Sequence, residues 1–118
     1  MVTVEVWYYP TCSKSNRAVA DLDAAGLAYE LRDYVAKPPS SAELSRLGQR
    51  LGLPPWEFCR TGEPVAAELG LSQWPRGDQY CGRWLTAMSD NPILIQRPIV
   101  VRGERAVIAR DPGWLTTL

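Results

Sequence analysis

The stretch from Val2 to Tyr34 constrains this chain more than any other. Val2 to Tyr9 alternates and is rich in β-branched and aromatic residues, which predicts a buried strand stopped by Pro10. Ser13 to Ala25 predicts a helix. Its apolar residues Ala18, Val19, Leu22 and Ala25 recur at three- and four-residue spacing, and Gly26 stands where a C-terminal cap belongs. Leu27 to Tyr34 alternates again, with Tyr29 and Leu31 set against Glu30 and Arg32, and predicts a second strand. For strand, helix and strand this closely spaced, the default is a parallel pair joined by a right-handed crossover.

The chain then changes character. Lys37-Pro38-Pro39 breaks it, and Ser40 with Glu43 three residues on forms a capping box. The helix behind carries Leu44, Leu47 and Leu51 on one face and ends at Gly52. Pro54-Pro55 starts a short helical turn, Val65 to Leu69 a short helix closed by Gly70, and Gly77 to Met88 a further helix with Cys81, Trp84, Leu85 and Met88 on one side. Residues 36–92 therefore read as a helical block with no strand pattern. Strand signals return at Ile93. Ile99-Val100-Val101 and Ala106-Val107-Ile108 flank Gly103-Glu104, the signature of a two-residue type II′ hairpin. Asp111 at the N-cap and Pro112 at the first helical position open a last helix. The order is β-α-β, a helical insertion at 36–92, then β-β-α, all within one α/β domain over residues 1–118.

Composition excludes whole classes of chemistry. Thirteen Lys+Arg balance thirteen Asp+Glu, so charge gives no reason to expect a nucleic-acid or membrane-surface partner. No apolar run approaches the ~20 residues of a membrane span, and no secretory signal is recognisable. The chain has no histidine, which rules out a Ser-His-Asp triad, a Cys-His dyad and His-ligated zinc or haem. Cys12, Cys59 and Cys81 are too few for a disulfide framework and lack paired zinc spacing, so no metal is expected. They point to free thiols in a reducing cytoplasm.

Cys12 is the strongest candidate for chemistry. It falls between a strand and the start of a helix, where the dipole and the free N–H groups of Ser13, Lys14 and Ser15 favour a thiolate and can cradle an anion. Ser15 makes the local motif C-x-x-S, so no neighbouring thiol can resolve a disulfide. A free cysteine is also among the most buried residue types, and an inert core thiol is the competing reading. Arg97-Pro98 precedes a strand, the usual place for a cis bond. In this element order a cis Pro98 faces the helix-borne cysteine, as in a thioredoxin-like fold. Arg60, Arg97 and Arg110 each fall at an element boundary, and guanidinium forks there can converge on an oxyanion. Taken singly, each reads more readily as a solvated surface arginine.

These pieces together resemble a known family. Y-Y-P-T-C-S-K-S, R-T-G-E-P at 60–64, N-P-I-L-I-Q-R-P-I-V-V at 91–101 and A-R-D-P at 109–112 are similar to the glutaredoxin-coupled arsenate reductases, grouped with the Spx-type regulators in the thioredoxin-fold superfamily. The resemblance runs from Val2 to Leu118. It implies Cys12 as nucleophile, Arg60, Arg97 and Arg110 as anion-binding arginines, Ser15 as the C-x-x-S serine and Pro98 as the cis proline. It also implies arsenate as substrate, glutathione or another low-molecular-weight thiol as co-substrate, and glutaredoxin or mycoredoxin as partner. No bound cofactor is expected, and the chain is expected to act as a monomer.

The chain departs from the family at Tyr8, which stands where a Y-H-N-P-x-C run has histidine. Tyr8 could donate a hydrogen bond to the sulfur, but a phenol with pKa ≈ 10 is a poor proton acceptor at neutral pH. The charge of Lys14 could replace part of the stabilisation. Cys59, beside Arg60, is readable as a resolving thiol or a buried one, and Cys81 as a core thiol. Two other functions remain open: an Spx-like, non-catalytic regulator that binds RNA polymerase, and a general glutathione-dependent thiol reductase.

Overall fold

A computed structural model describes residues 3–111 and 113–118. Val2, expected to open the first strand, and Pro112, expected at the first position of the last helix, lie outside the described residues. The chain divides into two compact units, one formed by Met1–Lys37 with Arg97–Leu118 and the other by Pro38–Gln96.

The first unit holds the sheet. Strands β1 (Val4–Tyr8), β2 (Tyr29–Asp33), β3 (Ile99–Arg102) and β4 (Arg105–Ile108) lie in the order β2-β1-β3-β4, with helix α1 (Ser13–Ala24) between β1 and β2 in sequence. β1 and β2 are parallel, with Val6 opposite Leu31, while β3 runs antiparallel to both β1 and β4. This is the thioredoxin-like arrangement. Alternation along β1 sends Val4 and Val6 to the α1 side, where they meet Ala18 and Leu22, one helical turn apart, and Val100, Ala109 and Trp114 complete the cluster. Gly26 at φ 71° ends α1 in the left-handed conformation that a side chain would disfavour.

β4 follows β3 through Gly103-Glu104, with Arg102 opposite Arg105. Gly103 has φ 60° and no residue other than glycine has positive φ among those described, as a type II′ turn requires. Two expectations change here. Leu31, read as inward-facing, is 49% exposed because β2 is an edge strand. The last helix is only a 3₁₀ turn, Trp114–Thr117, because Gly113 at φ 85° breaks helical geometry just before it.

The second unit is helical, with α2 (Ser41–Leu51), α3 (Pro64–Leu69) and α4 (Cys81–Asp90). The capping box forms as read: Glu43 N–H donates to Ser40 Oγ at 3.1 Å, and Ser40 N–H donates to Glu43 Oε1 at 3.3 Å. α2 packs against α4, and Leu44, Leu47, Trp84 and Met88 are fully buried. Trp84 makes edge contacts with Trp56 and Trp74, and its indole N–H donates to the Pro75 carbonyl at 3.0 Å. The helix read from Gly77 begins at Cys81, after a 3₁₀ turn over Asp78–Tyr80. Ile93 falls in a 3₁₀ turn, Pro92–Leu94, rather than in a strand. The block read as strand-free contains one antiparallel bridge partner, Cys59, paired with Ile95.

Candidate active site

β1 ends at Tyr8, and the chain turns sharply through Tyr9-Pro10-Thr11-Cys12. The Cys12 N–H donates to the Tyr9 carbonyl at 3.0 Å and closes the turn. Asn16 secures it, its side-chain amide donating to the Pro10 carbonyl at 3.3 Å and its backbone N–H to the Cys12 carbonyl at 3.1 Å. Cys12 is the N-cap residue of α1, which sets its side chain beside the free N–H groups of the first turn.

Burial by itself would raise the Cys12 pKa. Hydrogen bonds from the Ser15 N–H, the Ser15 hydroxyl, the Lys14 N–H and the Arg97 guanidinium outweigh it and lower the pKa from 9.0 to about 7. Lys14 thus acts through its backbone amide, as the start of a helix allows. Ser15 is fully buried. Its Oγ accepts the Tyr9 N–H at 3.2 Å, and its hydroxyl is among the groups that lower the Cys12 pKa.

Arg97 and Arg110 reach this region from the far end of the chain. The Arg97-Pro98 peptide bond is cis. The Arg97 guanidinium carbon lies 4.5 Å from the centroid of the Tyr9 ring. Arg110 Nη1 donates to the Arg97 carbonyl at 2.7 Å, and the Ala109 N–H donates to the Pro98 carbonyl at 2.9 Å. Arg110 also lines a small cavity of about 70 Å³ with Lys14, Arg17, Asp21, Asp111 and Trp114. One unit therefore carries Cys12, Ser15, Arg97, Pro98 and Arg110.

Arg60 belongs to the other unit. Its Nε donates to Glu63 Oε1 at 3.0 Å and its Nη1 to Gln96 Oε1 at 2.9 Å, which fixes the plane of the fork. Cys59, its neighbour, has its pKa pushed up to about 11 by burial and stays a thiol at neutral pH. Cys81 makes a long contact, its thiol donating to the Gly77 carbonyl at 3.7 Å. All three cysteines are free.

Tyr8 does not play the part considered for it. It packs against the core cluster that includes Val6 and Leu22, and the donors to the sulfur are Ser15, Lys14 and Arg97. Tyr9, which the sequence reading passed over, is the tyrosine that touches the site. Its only signal was an aromatic residue just ahead of the Pro10 turn. Among the described residues no group of three or more His, Cys, Asp or Glu could hold a metal ion, and no helix is long and apolar enough to cross a membrane.

The chain is similar to known proteins along nearly its whole length. The model of the ArsC family matches residues 7–118. A protein in the glnII region of Streptomyces viridochromogenes is 42% identical over 108 residues, 91% of either chain. An arsenate reductase of Neisseria meningitidis serogroup A is 33% identical over 93% of this chain and 92% of its own. The solved structure of an arsenate reductase from Vibrio cholerae superposes with a TM-score of 0.89 at 34% identity, covering 98% of this chain and 97% of that one.

Proposed function

The chain belongs to the ArsC family, and from that premise we propose that it is an arsenate reductase of the glutaredoxin-coupled type, with the Cys12 thiolate as its nucleophile. The observation that carries this reading is the place of Cys12 at the N-cap of α1, where the Ser15 and Lys14 amides, the Ser15 hydroxyl and Arg97 lower its pKa to about 7. The similarity to proteins named arsenate reductase supports the choice of oxyanion.

Arsenate docks against Arg60, Arg97, Arg110 and the amides that follow Cys12, which together offset its negative charge. The Cys12 sulfur attacks arsenic, and a hydroxyl leaves with a proton as water. Glutathione, or an equivalent low-molecular-weight thiol, adds to arsenic in the same way. Glutaredoxin or mycoredoxin then takes up that thiol's sulfur in a disulfide. The electron pair left on arsenic carries it from As(V) to As(III). Water then hydrolyses the remaining As–S bond, its hydroxyl going to arsenic and its proton to the Cys12 sulfur, so that arsenite leaves and the thiol is restored. One protein cysteine suffices because the second thiol is external, which agrees with a Cys59 held protonated by burial.

The test is arsenate reduction by the purified protein, first with glutathione and glutaredoxin and then with mycothiol and mycoredoxin. Turnover is expected with one pair, and Cys12→Ser abolishes it, while Cys59→Ser and Cys81→Ser largely retain it. No turnover with either pair, alongside reduction of a glutathione mixed disulfide, would replace this reading with a general thiol reductase.

A further inference from the structure

Tyr9 has no place in the chemistry above, yet three neighbours of the reacting sulfur are tied to it. Its backbone N–H donates to Ser15 Oγ at 3.2 Å. Its carbonyl accepts the Cys12 N–H at 3.0 Å. Its ring lies under the Arg97 guanidinium, 4.5 Å from centroid to carbon. Arg97 is 9% exposed, so water screens its charge poorly and the ring face counts for more than it would on an open surface.

We propose that Tyr9 is a positioning residue for Cys12: its ring face holds the Arg97 guanidinium at the sulfur, and its backbone N–H turns the Ser15 hydroxyl toward the same atom. A guanidinium resting on a ring keeps its N–H groups directed outward around its rim, so stacking and donation to sulfur do not compete. The stack also removes rotamer freedom from a long side chain before any ligand arrives. The other end of Arg97 is fixed independently, since its carbonyl accepts from Arg110 at 2.7 Å. The guanidinium is thereby held at its tip by Tyr9 and at its root by Arg110. The Tyr9 hydroxyl has no part in this, so the ring alone should serve.

This rests on Cys12 being the nucleophile, but not on arsenate being the substrate, and the test is chosen accordingly. Alkylation of Cys12 by iodoacetamide is followed against pH by mass spectrometry of its peptide, with no oxyanion present. Lys14, Arg17, Asp21, Arg110 and Asp111, the charged groups that line the cavity beside α1, are left unchanged. Tyr9→Phe should keep the parent midpoint. Tyr9→Leu should raise it by roughly half a pH unit to one unit, the size expected for losing a partly desolvated cation–π contact. In an Arg97→Gln background, Tyr9→Leu should add no further rise. Tyr9→Met carries the same expectation should the leucine variant fail to fold. An unchanged midpoint in Tyr9→Leu, an equal rise in Tyr9→Phe, or a full rise persisting without Arg97 overturns the assignment of Tyr9 alone. A parent midpoint near 9 rather than about 7 overturns the reading of Cys12 as well.

Discussion

The Tyr9 backbone N–H donates to the Ser15 hydroxyl oxygen at 3.2 Å, which leaves the hydroxyl proton for Cys12, three residues back, whose pKa this hydroxyl lowers. Ser15 is therefore a relay between main chain and nucleophile, buried completely. Replacing it with alanine removes a donor from the sulfur and strands the Tyr9 N–H. The Cys12 midpoint in Ser15→Ala should rise above about 7. Loss of the acceptor for a half-buried amide should cost about 1 kcal/mol of stability. Alkylation against pH and urea denaturation read the two effects separately. Unchanged stability would mean that water replaces the hydroxyl.

Cys12 and Cys59 should respond to pH in opposite senses. The Cys12 pKa is lowered by its donors from 9.0 to about 7, so its alkylation rate should climb through pH 7 and level off above 8. Its ionisation favours the folded state: that contribution is complete above pH 9, falls as pH drops from 9 to 7, and is gone below. The Cys59 pKa is raised by burial to about 11, so its contribution is complete below pH 9 and is lost between 9 and 11. Peptide mapping at pH 7.5 should find Cys12 modified at least ~10-fold faster than Cys59, since the thiolate is the reactive form. Comparable rates would refute the burial argument. Urea midpoints of Cys12→Ser and of the parent, compared at pH 6 and pH 9, should diverge as pH rises.

How much of this was legible in the sequence depends on whether a feature is local. The ends of α1, the capping box of Ser40 and Glu43, and the Gly103-Glu104 turn are encoded within a few residues, and each is where the pattern put it. The parallel pairing of β1 and β2 followed from short connections. The Cys59–Ile95 bridge joins two single residues far apart in the chain, too short for any periodicity to register. The N-cap pattern at Asp111-Pro112 places Gly113 in the first turn of a helix, and its left-handed φ shows only in the folded chain. Cys12 could be picked out as a candidate because a thiol at a helix start meets free N–H groups that are encoded locally. The stack of Arg97 on Tyr9 was not, since it joins a turn at one end of the chain to a loop near the other.

Arg97 and Arg110 should separate cleanly by substitution. Both are proposed to hold the oxyanion, but only Arg97 is a donor to the sulfur, while Arg110 donates to the Arg97 carbonyl. Arg110→Gln should lower kcat/KM for arsenate by about 10- to 100-fold, the size of losing a charge-assisted hydrogen bond, and move the Cys12 midpoint little. Arg97→Gln should lower kcat/KM at least as far and raise the midpoint too. Arg110→Lys should not restore activity, because a single ammonium cannot reproduce the two-pronged fork. Equal midpoint shifts in the two glutamine variants would show that Arg110 acts only by placing Arg97.

Arg60 offers a test of whether a held fork matters for binding. Its Nε and Nη1 donate to Glu63 and Gln96 at 3.0 and 2.9 Å, with the Arg60 and Glu63 side chains 26% and 19% exposed. A pair this accessible is worth up to about 1 kcal/mol, so Glu63→Ala should leave the fold intact. If Arg60 is one of the arsenate ligands, freeing it restores rotamer entropy that binding must then remove. The expected result is a KM for arsenate raised by roughly threefold to fivefold with kcat little changed, the same free energy seen in affinity. Steady-state kinetics on Glu63→Ala, with Arg60→Ala as the reference for complete loss, provides the measurement. If Arg60→Ala itself leaves KM unchanged, Arg60 drops out of the binding set. The oxyanion site would then consist of Arg97, Arg110 and the amides after Cys12.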